Sequence, residues 1–114
     1  MMKGLDAMTE QSTEPALFGN TGIRERVIQE IRTLARRHGV KKVILFGSRA
    51  RGDYRMKSDI DLAFEGGDAP RFILDVDEET YTLLSFDVIS LDAPVSPELR
   101  DSIRREGVVI YEQV

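Results

Sequence analysis

Apolar positions along the chain fall into two alternating periods, and the points where the period changes mark its elements. Residues 1–20 hold no period and contain Gly4, Pro15, Gly19 and several Ser and Thr, which reads as a flexible leader with Met8 as an alternative start. From Thr21 the pattern turns helical, with Ile23, Val27, Ile31, Leu34 and Ala35 recurring at steps of three and four. Thr21 or Asn20 can cap that helix, and Arg36, Arg37, His38 and Gly39 suit its C-terminal end. His38, the only histidine, is expected to be a solvated helix-end residue. Val43-Ile44-Leu45-Phe46 is a continuous apolar run of strand length that stops at Gly47. A polar loop or short helical turn follows to Lys57.

Ser58 to Glu65 then alternates, with Ile60, Leu62 and Phe64 on one side and Asp59, Asp61 and Ala63 on the other. Gly66-Gly67 ends this strand. A second helix is expected from Pro70 to Leu84, with Phe72, Ile73, Val76, Tyr81 and Leu84 on its inner stripe, and a strand from Phe86 to Leu91. Ser96 and Pro97 have the chemistry of an N-cap and a first helical position, Gly107 closes that helix, and Val108 to Tyr111 reads as a last strand. The order α-β-β-α-β-α-β predicts an α/β protein of the α+β type. Residues 21–114 would form one domain around a small mixed sheet with its helices mainly on one face. The other face is then partly open, and polar side chains can sit on it.

Composition narrows the setting. An apolar share of 41% and a charged share of 32% describe an ordinary globular chain. The lack of Cys rules out disulfides and thiolate metal sites, and no apolar run approaches the ~20 residues of a bilayer span, so a cytoplasmic protein is expected. The net charge of −4 conceals an asymmetry: +1 over residues 1–40, +5 from Lys41 to Lys57, and −10 from Ser58 to Val114. A short basic loop beside an acidic strand suits a compact anion better than a long nucleic-acid track, although a solvated loop beside a solvated acidic face has the same charges.

The chemistry resides in that junction. Two Asp at alternate positions of a strand stand about 6.5 Å apart on one face and repel each other. Asp is also a poor strand former. An acidic solvent face on an edge strand is one explanation; a divalent cation such as Mg²⁺, which prefers carboxylate and phosphate oxygens, is the other. Asp87, inside the apolar run Phe86-Asp87-Val88-Ile89, supplies a third carboxylate if its strand lies beside the first. Gly47-Ser48 follows a buried strand, where backbone N–H groups and a hydroxyl can meet a phosphate, and Arg49, Arg51, Arg55 and Lys57 can neutralise it. Tyr54 is expected to pack within the loop. Together these features favour a metal-assisted phosphate site.

Gly47-Ser48-Arg49-Ala50-Arg51-Gly52, then Ser58-Asp59-Ile60-Asp61-Leu62, then Phe86-Asp87-Val88 resemble the signature of the minimal nucleotidyltransferases of the DNA polymerase β-like superfamily. The likeness extends from about Ile23 to Tyr111 and implies that superfamily's palm fold. It further implies that Asp59, Asp61 and Asp87 are catalytic and hold two Mg²⁺ ions, and that Gly47, Ser48, Arg49 and Arg51 bind the triphosphate of ATP. Larger members carry a separate acceptor-binding domain, for which this chain has no room. Many short members are antitoxins paired with a HEPN-domain ribonuclease toxin, onto whose tyrosine they transfer AMP. The resemblance therefore implies a HEPN partner and allows homo- or hetero-oligomers, while the weak basic character argues against a direct nucleic-acid partner and the lack of an apolar span against a membrane. Two other readings stay open: a binding module that neutralises the toxin by covering it, and transfer to a small molecule or an RNA end.

Overall fold

The helical period does give a helix, α1 (Glu25–Arg37), which buries Val27, Ile28, Ile31, Leu34 and Ala35 along one stripe. The computed structural model describes residues 16–114, so the first fifteen residues of the expected leader lie outside the described part. The last of that leader, residues 16–20, is folded: Leu17 bridges Arg24, and Phe18 N–H donates to the Ile23 carbonyl at 2.8 Å. Neither expected cap sits at the helix start, because Arg24 is the N-cap and no side chain caps it. Thr21 closes the preceding turn, its hydroxyl donating to the Phe18 carbonyl at 2.6 Å and accepting from Ile23 N–H at 3.1 Å.

The remaining elements are β1 (Lys42–Phe46), α2 (Gly47–Arg51), β2 (Ile60–Glu65), α3 (Ala69–Glu79), β3 (Phe86–Ser90), α4 (Pro97–Glu106) and β4 (Val108–Glu112). Helix α3 ends five residues before the expected Leu84. Thr80 turns extended and donates its hydroxyl to the Val76 carbonyl at 2.7 Å, while Tyr81 N–H goes to Glu30 of α1 at 2.8 Å. Hydroxyl side chains that bond the nearby backbone compete with helix continuation, which the apolar period could not register. Ser96 caps α4 as expected, accepting from Leu99 N–H at 3.1 Å.

The four strands form one mixed sheet in the order β3-β2-β1-β4, with β2 and β3 parallel and the other pairs antiparallel. Val43, Leu45, Ile60, Leu62, Phe64 and Ile110 join the apolar stripes of α1 and α3 in one core, where Phe64 and Phe72 meet edge to face at 4.9 Å. The opposite face carries a smaller cluster of Phe46, Ala63 and Ile103, packed with Ile44, Ile89, Leu91 and Leu99. Helix α4 thus covers part of the second face. The end of β2 that begins at Ile60 lies next to α2, with the start of β3 beside it. His38 is not a free helix end, since its Nε2 lies 2.7 Å from the Asp75 carboxylate and ties α1 to α3.

Candidate active site

Strand β1 stops at Phe46 because the next residue has a backbone that side chains other than glycine rarely adopt. Gly47 has φ +76°, and a Cβ there would overlap the Asp61 carboxylate. Gly47 therefore serves twice, as a left-handed turn residue and as the gap into which Asp61 fits. Ser48 and the half-buried start of α2 follow at once, with backbone N–H groups that have no partner within the helix.

Asp61 sits between the two neighbours that matter most to it. Its register partner on β1 is Phe46, the residue before Gly47, and its partner on β3 is Asp87. Parallel strands stand about 4.8 Å apart, and residues in register point to the same face. Asp61 and Asp87 are therefore adjacent. Asp59 precedes the first ladder residue, Ile60, whose N–H donates to the Ser85 carbonyl at 2.9 Å. The expected strand thus starts two residues late, and Asp59 belongs to the loop that enters it.

Asp59 and Asp87 are exposed, while Asp61 is partly buried. Burial raises the Asp61 carboxyl above its ordinary value, the charges of Asp87 and Asp59 raise it further, and Arg51 and Arg49 partly oppose them. Three hard oxygen donors whose mutual repulsion is only partly offset suit Mg²⁺ chemically. Among the described residues, however, no three His, Cys, Asp or Glu side chains form a preassembled metal cage.

The two arginines of the Gly-Ser segment have separate fates. Arg49, expected to face phosphate, is only 2% exposed. Its guanidinium donates to the carbonyls of Thr21 at 2.9 Å, Ser58 at 3.0 Å and Met56 at 3.0 Å, with a longer 3.5 Å approach to Arg55. With its donors committed to these carbonyls it has no fork to offer a triphosphate, and the expectation of a phosphate ligand is corrected on that ground. Nothing in the sequence separates it from Arg51. The latter is exposed and bridges Asp53 at 3.2 Å and Glu106 at 3.1 Å, which raises its pKa. Arg55 and Lys57 are exposed as well. Tyr54 packs as expected, its ring 4.6 Å from the Arg49 guanidinium carbon.

At the same end of the sheet, on the side of α1, a cavity of ≈ 550 Å³ opens between Gly22–Val27 and Thr80–Leu84. None of the expected site residues lines it. Tyr81 and Leu83, which line it, are exposed at 65% and 105%, and Met56 in the loop after α2 at 85%. The sequence had placed Tyr81 inside a helix stripe and had not singled out Leu83.

Comparison with known proteins bears on the fold and the family. The chain is 36% identical over 81 residues to MJ0604 of Methanocaldococcus jannaschii, named a candidate protein adenylyltransferase, which covers 63% of this chain and 79% of that protein. A solved chain described as a candidate minimal nucleotidyltransferase is similar at 29% identity and a TM-score of 0.57, over 71% of this chain and 86% of that one. A toxin–antitoxin crystal structure with AMP-PNP shares the fold at 21% identity and a TM-score of 0.58, over 75% of this chain and 73% of that one. The model of the family described as polymerase beta nucleotidyltransferase matches residues 29–114, the span that holds the Gly-Ser turn, the Asp-x-Asp entry and the third acid, and this chain is a member of that family.

Proposed function

We propose that this nucleotidyltransferase is a Mg²⁺-dependent protein adenylyltransferase, an antitoxin that moves AMP from ATP to a tyrosine hydroxyl of a HEPN-domain ribonuclease partner. The observation that carries this reading is the adjacency of Asp61 and Asp87 on one face, with Gly47 recessed against the Asp61 carboxylate. A phosphate chain laid on the Gly47-Ser48 turn would have its α-phosphorus within reach of those acids. The relative named for protein adenylyl transfer and the AMP-PNP-bound toxin–antitoxin neighbour support the donor and acceptor classes.

In the transfer, the acceptor oxygen bonds to the α-phosphorus and the bond from that phosphorus to the bridging oxygen breaks. Pyrophosphate leaves with the electron pair. Bound Mg²⁺ would neutralise the phosphates and make the hydroxyl easier to deprotonate. Asp59 and Asp61 are assigned to hold it, and Asp87, exposed on the neighbouring strand, to accept or relay the hydroxyl proton. Gly47 and Ser48 orient the β- and γ-phosphates, and Arg51, once released from Asp53 and Glu106, supplies positive charge beside them. The exposed apolar side chains of Met56, Tyr81 and Leu83 suit a protein acceptor that brings its own surface.

The test is incubation of the purified chain with Mg²⁺, the HEPN protein and ATP labelled on either the α- or the γ-phosphate. Label should pass to the partner from the α position only, with mass increments of AMP. A partner that stays unmodified while bound in complex would refute the enzyme. The absence of a preassembled cage favours one second reading, neutralisation by covering. Asp59→Asn with Asp61→Asn separates the two, because a cover survives that change and a transferase does not.

A further inference from the structure

The side chain left unused by that chemistry is the most deeply buried charge in the described structure. Arg49 is 2% exposed and is the largest of the fully buried side chains. Burying a guanidinium is unfavourable unless its donors are satisfied, and these are satisfied by main chain rather than by an acid. The carbonyls come from separate stretches: Thr21 before α1, Arg55 and Met56 in the loop after α2, and Ser58 at the entry to β2. Tyr54 closes one face of the guanidinium at 4.6 Å, and its ring occupies the space where a Cβ on Gly22 would stand.

The residue bonded through Ser58 is the one directly before Asp59. Asp59 has no ladder partner of its own, since β2 begins at Ile60. Its placement is held on one side by the Ile60–Ser85 hydrogen bond and on the other by the bond from Arg49 to Ser58. We infer that Arg49 is a positioning residue, a clasp that fixes the 54–58 loop and so sets Asp59 beside Asp61. This inference rests on the carboxylate site proposed above. A lysine could not replace the clasp: it has three donors on a point charge, against five in a planar fork, and cannot reach three chain segments at once.

The test uses Arg49→Lys in the full chain with two independent readouts. Amide hydrogen exchange reports the loop, and titration with Mn²⁺ alone reports the carboxylates without any need for transfer activity. Loss of the clasp should speed exchange across residues 54–59 by about ten-fold or more while α1 and β1 keep their protection. Mn²⁺ affinity should fall by about 10- to 100-fold, the usual effect of removing a group that orients metal ligands. Tyr54→Leu, which keeps the hydrogen bonds and removes the ring, should give a smaller change in both and serves if Arg49→Lys does not fold. Unchanged exchange at 54–59 would overturn the clasp, and so would a loosened loop with wild-type Mn²⁺ affinity. A wild-type chain that binds no Mn²⁺ while exchange responds as described sinks the metal-site reading and, with it, the role given to Arg49 in setting Asp59.

Discussion

Replacing Asp61 with Asn tests whether the acids form an electrostatically strained cluster. Two unit charges about 4.8 Å apart, the spacing of parallel strands, interact by about 0.9 kcal/mol in bulk water and about 3.5 kcal/mol at the effective dielectric near a protein surface. Asp61 is partly buried and Asp87 exposed, so a value near the lower figure, about 1 kcal/mol, applies to this pair. Asn keeps the shape beside Gly47 and removes the charge. The metal-free Asp61→Asn chain should therefore be more stable than wild type by about 1 kcal/mol, or about 4–5 °C in Tm for a domain near 100 residues. The assay is thermal unfolding in EDTA at pH 7, at low salt and again in 1 M NaCl, where a Debye length of about 3 Å should shrink the gap. Because Asp61 has its pKa raised above 3.8, the native state keeps that proton to higher pH than the unfolded chain. Its stabilising contribution is complete below 3.8 and is lost as pH rises through the elevated native value, so the gap should close toward acid pH. Adding Mg²⁺ should raise the wild-type Tm and leave the variant nearly unmoved. A variant no more stable than wild type in EDTA, with no response to salt, would refute the argument from repulsion.

Asp87→Asn should lower transfer by about 10²- to 10⁴-fold, measured as labelled AMP on the partner, without lowering Tm. Gly47→Ala places a Cβ against the Asp61 carboxylate at a positive φ. It should lose activity and about 1–2 kcal/mol or more of stability in denaturant titration. Phe72→Ala removes a fully buried ring that meets Phe64 edge to face, and urea unfolding should register a loss of about 3–5 kcal/mol. Leu83→Asp, at a fully exposed position beside the cavity, should weaken pull-down of the protein acceptor and leave Mn²⁺ binding unchanged.

What the sequence determined by itself was everything written in a local period. Val27 to Ala35 specify a helix face, Val43 to Phe46 a buried strand, and Ser96-Pro97 a helix start, because burial and capping act between residues a few positions apart. The Gly-Ser turn, the Asp-x-Asp and the later Asp were legible as a set for the same reason, each being tied to a strand end. Tertiary structure decided the partners of the charges. Arg49 and Arg51 are indistinguishable in sequence, yet one is sealed among carbonyls and the other is held by Asp53 and Glu106. That difference depends on carbonyls as far away in sequence as Thr21 and acids as far as Glu106. The parallel register that sets Asp87 beside Asp61 likewise follows from how α3 returns the chain to the sheet. Electrostatic and hydrogen-bond partners act through space, and only the closed fold fixes which groups meet.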